Sequence, residues 1–196
     1  MIFLLKISFV MDKLTKNIDI NLKKVVVLIG HMGSGKSTIG KILAKKLNWR
    51  FYDSDREIEK KQKKSIEDIF KEKGETYFRK LEKIYISKLV KRKKSVIAIG
   101  GGSVKVQKIR KILKKETISI FLKVDIETLL KRLKNKKNRP LLFNTNVEKK
   151  IKFLDSERLQ IYNEANIIIE NSKNIQETIE KICNCVRKEK SKYMER

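Results

Sequence analysis

The eight residues Gly30-His31-Met32-Gly33-Ser34-Gly35-Lys36-Ser37 constrain this chain more than any other stretch. They fit the pattern G-x-x-x-x-G-K-[ST], and they stand directly after the apolar run Val25-Val26-Val27-Leu28-Ile29 and directly before a helix-period segment, Lys36–Leu47. A run that is apolar at every position suits a central parallel strand buried on both faces. The glycines let consecutive backbone N–H groups curl around an anion, and the helix N-terminus adds partial positive charge. Lys36 is then placed to reach the β- and γ-phosphate oxygens of a nucleotide, and Ser37 offers a hydroxyl to Mg²⁺. Gly33, Ser34, Gly35, Lys36, Ser37 and Thr38 are the nucleotide-binding candidates. The motif points to a nucleoside triphosphate and leaves open what is done with it. His31, the single histidine, falls on a variable position of the loop and reads as loop surface without a catalytic role.

The rest of the chain alternates short β-branched runs with longer segments of helical period, the pattern of an α/β fold with helices on both faces of a parallel sheet. Strands are expected at Lys24–Ile29, Arg50–Tyr52, Ser95–Ile99, Thr117–Lys123 and Ile167–Ile169. Helices are expected at Lys36–Leu47, Ile66–Lys73, Tyr77–Arg92, Val106–Lys114, Ile126–Lys134 and about Ile175 to Arg187. This gives one domain over 24–187, preceded by an extension without fixed structure (1–23) and followed by a charged, fraying tail (188–196). Asn135–Lys150 is polar, rich in Lys and Asn and broken by Pro140, and is expected to be a mobile lid.

Composition narrows the partners. The 49 basic and 23 acidic residues leave a formal net charge of +26, which raises nucleic-acid binding as a possibility. The lysines are spread over nearly every predicted helix, so a solvated basic surface with no specific nucleic-acid partner is the expectation. The run from Met1 to Met11 is shorter than the roughly 20 residues that span a bilayer. It lacks the basic leader and small-residue cleavage site of a signal peptide. Cys183 and Cys185 are too close for an ordinary disulfide with each other and have no second cluster to complete a zinc site. A cytoplasmic monomer follows as the default.

Residues for a phosphoryl acceptor are read beyond the loop. Asp53-Ser54-Asp55 follows the second strand at its C-terminal end, the edge where open parallel sheets bind ligands. Asp53 can join the Mg²⁺ shell and Asp55 can take the proton of an attacking hydroxyl. Equally, one of the two can simply cap the helix beginning near Arg56. Arg79 and Glu82 lie three apart on a helix, either as a carboxylate orienting a two-donor arginine fork or as a surface ion pair. Gly100-Gly101-Gly102 lets backbone approach a ligand, Arg139 stands beside Pro140 in the lid, and Arg158 and Tyr162 are one helical turn apart.

Taken in order, GHMGSGKSTIGKILAKKL, FYDSDREIE, SIEDIFKEKGETYFRKLE, IAIGGGSV, NRPLL and the spaced ERLQIY make the chain resemble a shikimate kinase from about Lys24 to Glu170. The resemblance implies a three-layer α/β/α sandwich of P-loop kinase type with a five-stranded parallel sheet and a mobile lid. It implies transfer of the γ-phosphoryl of ATP to shikimate. By the same resemblance, Ser37 and Asp53 lie on the Mg²⁺ side, Lys36 is the phosphate lysine, and Asp55 faces the ring hydroxyls. Arg79 and Arg158 clamp the shikimate carboxylate, Gly101 and Gly102 wall its pocket, and Arg139 contacts phosphate from the lid. Arg132 stacks on adenine, with Asn171–Asn174 across the slot. The competing readings are another small-metabolite kinase, acting on gluconate or a nucleotide, and a non-catalytic P-loop protein that binds nucleic acid.

Overall fold

A computed structural model describes residues 25–134, 146–171 and 174–192. In chain order the elements are β1 (Val25–Ile29), α1 (Lys36–Lys46), β2 (Arg50–Asp53), α2 (Ser54–Gln62), α3 (Ile66–Leu89) and β3 (Ser95–Ala98). They continue as a 3₁₀ turn (Ser103–Lys105), α4 (Gln107–Glu116), β4 (Ile118–Lys123), α5 (Ile126–Lys134), α6 (Val147–Asn163), β5 (Ile167–Glu170) and α7 (Ile175–Lys192). The strands form one sheet in the order β2-β3-β1-β4-β5, every neighbouring pair parallel. The expected α/β architecture with five parallel strands is what the chain adopts.

Strand β1 shows how the sequence dictates the layers. Side chains alternate faces along a strand, and here both faces are apolar. Val26 and Leu28 pack with Ile39, Leu43 and Ala44 of α1 and Ile179, Ile182 and Val186 of α7. Val25, Val27 and Ile29 pack with Ile86 and Leu89 of α3, Ile109 and Leu113 of α4 and Tyr162 of α6. Each of the five is at most 3% exposed, so β1 lies at the middle of the molecule and its C-terminal end is held from both sides.

The expected helices 66–73 and 77–92 are two limbs of α3, which leaves helical geometry at Gly74 (φ 74°, ψ 175°) and ends at Leu89 rather than Arg92. The helix expected to begin near Arg56 is α2, which starts two residues earlier, at Ser54. Only Ser54 and Ile58 of its nine residues are buried, so its apolar period is nearly blank. Helix α6 begins at Val147, capped by the Asn146 side chain accepting from the Lys149 N–H at 3.1 Å. The expected lid, Asn135–Lys150, therefore overruns into helix, and its part from 135 to 145 lies outside the described residues, as do 1–24. The backbone of α7 stays helical to Lys192, past the expected start of fraying at Lys188. Among the described residues no helix is long and apolar enough to cross a membrane.

Candidate active site

The connection leaving β1 runs to β2 on one side of the sheet, whereas the connection leaving the adjacent β3 runs to β4 on the other. Between such strands their C-terminal ends open into a crevice. The phosphate loop leaves β1 and the glycine run leaves β3, so both meet there.

In the loop, Gly30, Gly33 and Gly35 adopt φ of 139°, 81° and 90°, a region costly for residues with a Cβ. Lys36 Nζ donates to the carbonyls of Gly30 and His31, 2.8 Å each, which curls the ammonium over the loop. Ser37 Oγ donates to Asp53 Oδ2 at 2.6 Å, and Asp53 Oδ1 accepts the Asp55 N–H at 3.2 Å. Asp53 thus fills both roles left open by the sequence, capping α2 and facing the loop serine. Arg132 of α5 donates to Gly33 O at 3.3 Å, and Asn171 Nδ2 donates to Ser34 O at 2.6 Å. These two side chains flank the loop on the segments expected to bound a base slot. Thr38 lies exposed in the first turn of α1.

Across the crevice, Asp55 stands in the first turn of α2. A Cβ built on Gly100 would lie 2.7 Å from Glu82 Oε1 and 3.1 Å from Asp55 Oδ1, so that glycine separates two carboxylates. Burial first, then the negative charges of Glu82 and Asp53, push the Asp55 carboxyl up to about 6, with Lys36 and Ser54 acting the other way. A carboxylate poised there is ionised at neutral pH and still a usable base.

Arg79 is not a surface ion pair. Its Nη1 donates to Glu82 Oε2 at 2.5 Å, and Glu82 is 0% exposed, its second oxygen accepting from the buried Ser103 hydroxyl at 2.5 Å. The opposite edge, Nε and Nη2, donates to Glu75 Oε1 at 3.1 and 2.8 Å. Glu75 is largely exposed, so a fixed carboxylate holds one edge of the fork and the other edge meets a carboxylate at the surface. The guanidinium lies against Gly102, where an added Cβ would come 2.5 Å from Nη2. Because the obstacle is the far end of a flexible side chain, Gly102→Ala is expected to fold normally but swing Arg79 aside. The check is steady-state kinetics, with the acceptor KM raised about 10-fold, near the loss of one charge-assisted hydrogen bond, and the melting temperature held within a few degrees.

Arg158 of α6 is 5% exposed, with Nη1 3.5 Å from the place a Cβ on Gly101 would take, and its Nε has no hydrogen-bond partner. Among the described residues the other such buried side-chain atom is Ser34 Oγ, in the phosphate loop. A buried guanidinium with an unmet donor is costly unless an anion completes it. Tyr162 Oη donates to Gly101 O at 2.7 Å, and burial pushes that phenol up to about 12, so it stays a neutral donor.

The crevice thus gathers Lys36, Ser37, Asp53, Asp55, Arg79, Gly101, Gly102, Arg132 and Arg158. Arg139 lies outside the described residues. Sequence reasoning passed over Ser54, whose Oγ accepts the Gly100 N–H at 3.2 Å, and Ser103. It also misplaced His31, which is 4% exposed and bonded to Asp155 rather than lying on the loop surface. Small polar residues at strand ends carry no periodic signal. The spacing Asp155, Arg158, Tyr162 puts three side chains on one helical face and was the available clue.

A family profile described as shikimate kinase matches residues 32–187. The shikimate kinase of Bartonella henselae is 41% identical over 173 residues, 88% of this chain and 81% of that protein. That of Sulfurihydrogenibium sp. is 46% identical over 150 residues, 76% and 89% of the two chains. Among solved structures, a shikimate kinase from Acinetobacter baumannii in complex with shikimate superimposes with a TM-score of 0.82 at 37% identity, covering 85% of this chain and 94% of that one.

Proposed function

The chain belongs to the shikimate kinase family, and on that premise we propose that it transfers the γ-phosphoryl group of ATP to the 3-hydroxyl of shikimate, yielding ADP and shikimate 3-phosphate. The reaction is a step of aromatic amino-acid synthesis. The protein works as a cytoplasmic monomer without a specific nucleic-acid or membrane partner. The observation that carries the choice of acceptor is Arg79. Its inner edge is anchored by a fully buried Glu82 and its outer edge meets a carboxylate, next to Arg158 on the same glycine wall and across Gly100 from Asp55. Two guanidinium groups suit a substrate carboxylate, and a buried carboxylate suits ring hydroxyls. A nucleotide acceptor would need a second base pocket instead.

Ser37 and Asp53 are the hydroxyl and carboxylate that would hold Mg²⁺. Kinases bind this ion through one or two protein oxygens plus phosphates, so a single hydroxyl–carboxylate pair fits. Among the described residues no group of three or more His, Cys, Asp or Glu side chains suits a metal. When bound, the ion neutralises charge on the β- and γ-phosphates.

The protein's own groups do the rest. The loop amides and Lys36 bind phosphate oxygens, while Arg132 and Asn171 flank the nucleotide base. Arg79 and Arg158 hold the acceptor carboxylate and so turn the 3-hydroxyl toward Asp55, which hydrogen-bonds it and takes its proton as the oxygen attacks phosphorus. Arg139 adds charge at the transferring group and, with the lid, excludes water. Positioning and electrostatics supply most of the rate in such transfers. Phosphorus NMR of the product tests the regiochemistry. Coupling to the ring proton at carbon 3 is expected, and phosphate on another hydroxyl would overturn the placement of Asp55.

A further inference from the structure

His31 lies in the phosphate loop, Asp155 in α6, and the two are 124 residues apart in sequence. The imidazole Nε2 and Asp155 Oδ1 are 2.8 Å apart, with the His31 side chain 5% and the Asp155 side chain 26% exposed. The His31 ring also meets Tyr162 edge to face, centroids 4.9 Å apart at 86°, and Tyr162 in turn stacks on Phe121 of β4. Asp155, Arg158 and Tyr162 follow the i, i+3, i+7 spacing, so they occupy one face of α6. That face therefore touches the phosphate loop at one end and the glycine wall at the other.

Resting on the acceptor site proposed above, we propose that the His31–Asp155 pair is a strut that sets the register of α6 against the phosphate loop, making both of them positioning residues for phosphoryl transfer. Neither needs to touch substrate. Arg158 lies one turn from Asp155, so a shift of α6 moves the acceptor clamp relative to the loop that holds the donor phosphates. A displacement of about 1 Å is enough to cost ~10²-fold in rate when the reacting groups depend on alignment.

The strut also has a preferred protonation state. Burial holds the imidazole below its ordinary value, with Arg158 and Lys36 adding to that effect, while Asp155 opposes it through charge and hydrogen bond. Those three groups and the Tyr162 ring are its surroundings. The neutral ring, with its proton on Nε2, donates to Asp155 and adds no positive charge beside Lys36 and Arg158.

The test is a double-mutant cycle of His31→Ala and Asp155→Ala, read as kcat, the two KM values and the melting temperature. Either single change is expected to lower kcat about 10-fold while ATP KM moves less than about 3-fold, a modest part of the alignment effect. The double variant is expected to match the singles rather than multiply them. Restoring a neutral donor, His31→Gln should recover most of the rate lost in His31→Ala. Losses that multiply, or a lower melting temperature with kcat and both KM values unchanged, overturn the strut. Should either variant fail to fold, Asp155→Leu keeps the bulk and removes the acceptor. Loss of kcat there supports the proposal, and full kcat refutes it. Failure of the family reading looks different, because the parent protein itself would then lack shikimate-dependent turnover.

Discussion

Asp55→Asn is expected to lower kcat with shikimate by about 10²–10⁴-fold, the usual worth of a positioned base, while leaving ATP affinity within a few-fold. Asparagine keeps the shape and can still hydrogen-bond a hydroxyl, but it cannot take the proton. The same change is expected to raise the melting temperature at pH 8. The Asp55 carboxyl titrates near 6 in the folded protein against an ordinary 3.8, because it is buried beside Glu82 and Asp53. A group raised in this way contributes its full stability below about pH 3.8, and that contribution is lost as pH rises through about 6. At pH 8 the parent therefore carries a destabilising ionised carboxylate that the variant lacks, and at about pH 3 the difference vanishes. For the parent enzyme, kcat/KM for shikimate should fall on the acid side with an apparent pKa near 6. Melting curves at the two pH values and a pH–rate profile check all three. A variant that turns over at a tenth of the parent rate or better removes Asp55 from the base role.

Arg79→Lys is the second large effect. Lysine keeps the charge and can still reach Glu82, so the fold should survive. It loses the planar fork that serves Glu82 on one edge and a carboxylate on the other. The shikimate KM is expected to rise about 10- to 100-fold, the worth of a charge-assisted hydrogen bond of ~1.5–3 kcal/mol, with the ATP KM moving less than about 3-fold. Equal loss for both substrates in steady-state kinetics would mean that Arg79 supports the crevice as a whole rather than the acceptor. Arg79→Ala is a harsher change, because it leaves Glu82 buried at 0% exposure without its cation, at a cost of about 3–5 kcal/mol in stability.

These two residues also show what could be read from sequence. The phosphate loop is local. Strand, glycines, lysine and helix start are contiguous, so periodicity and spacing located it together with β1. Asp55 and Arg79 could be singled out from spacing, but not weighed. Whether Arg79 is a surface pair depends on the burial of Glu82, and that depends on Ser103 and Gly100, which arrive from β3. Arg158 was identified without its most informative property, a buried guanidinium with an unmet Nε, since burial of a charged side chain contradicts its composition-based expectation. The bounds of helix α2 escaped because a helix with one buried apolar side chain, Ile58, has almost no period to detect. His31 was misread for a related reason. Its partner Asp155 lies on a helix that follows a long polar stretch, and no local rule joins positions that only the fold brings together.

The basic composition fits the same structure. Surface ion pairs such as Lys71–Glu67 and Lys181–Glu177 are i, i+4 contacts at exposed helix positions, where solvent screens them. Weak, salt-sensitive adhesion to nucleic acid is an expected consequence of the +26 charge, checked by its loss as salt rises.

The most direct test of the assignment is coupled ADP release from ATP and Mg²⁺ in moderate salt, with shikimate, quinate, gluconate and nucleoside monophosphates offered separately. Rapid release with shikimate and background rates with the others is the expected result. Background release with every acceptor, or release that gluconate or a nucleotide supports as well as shikimate does, would contradict it.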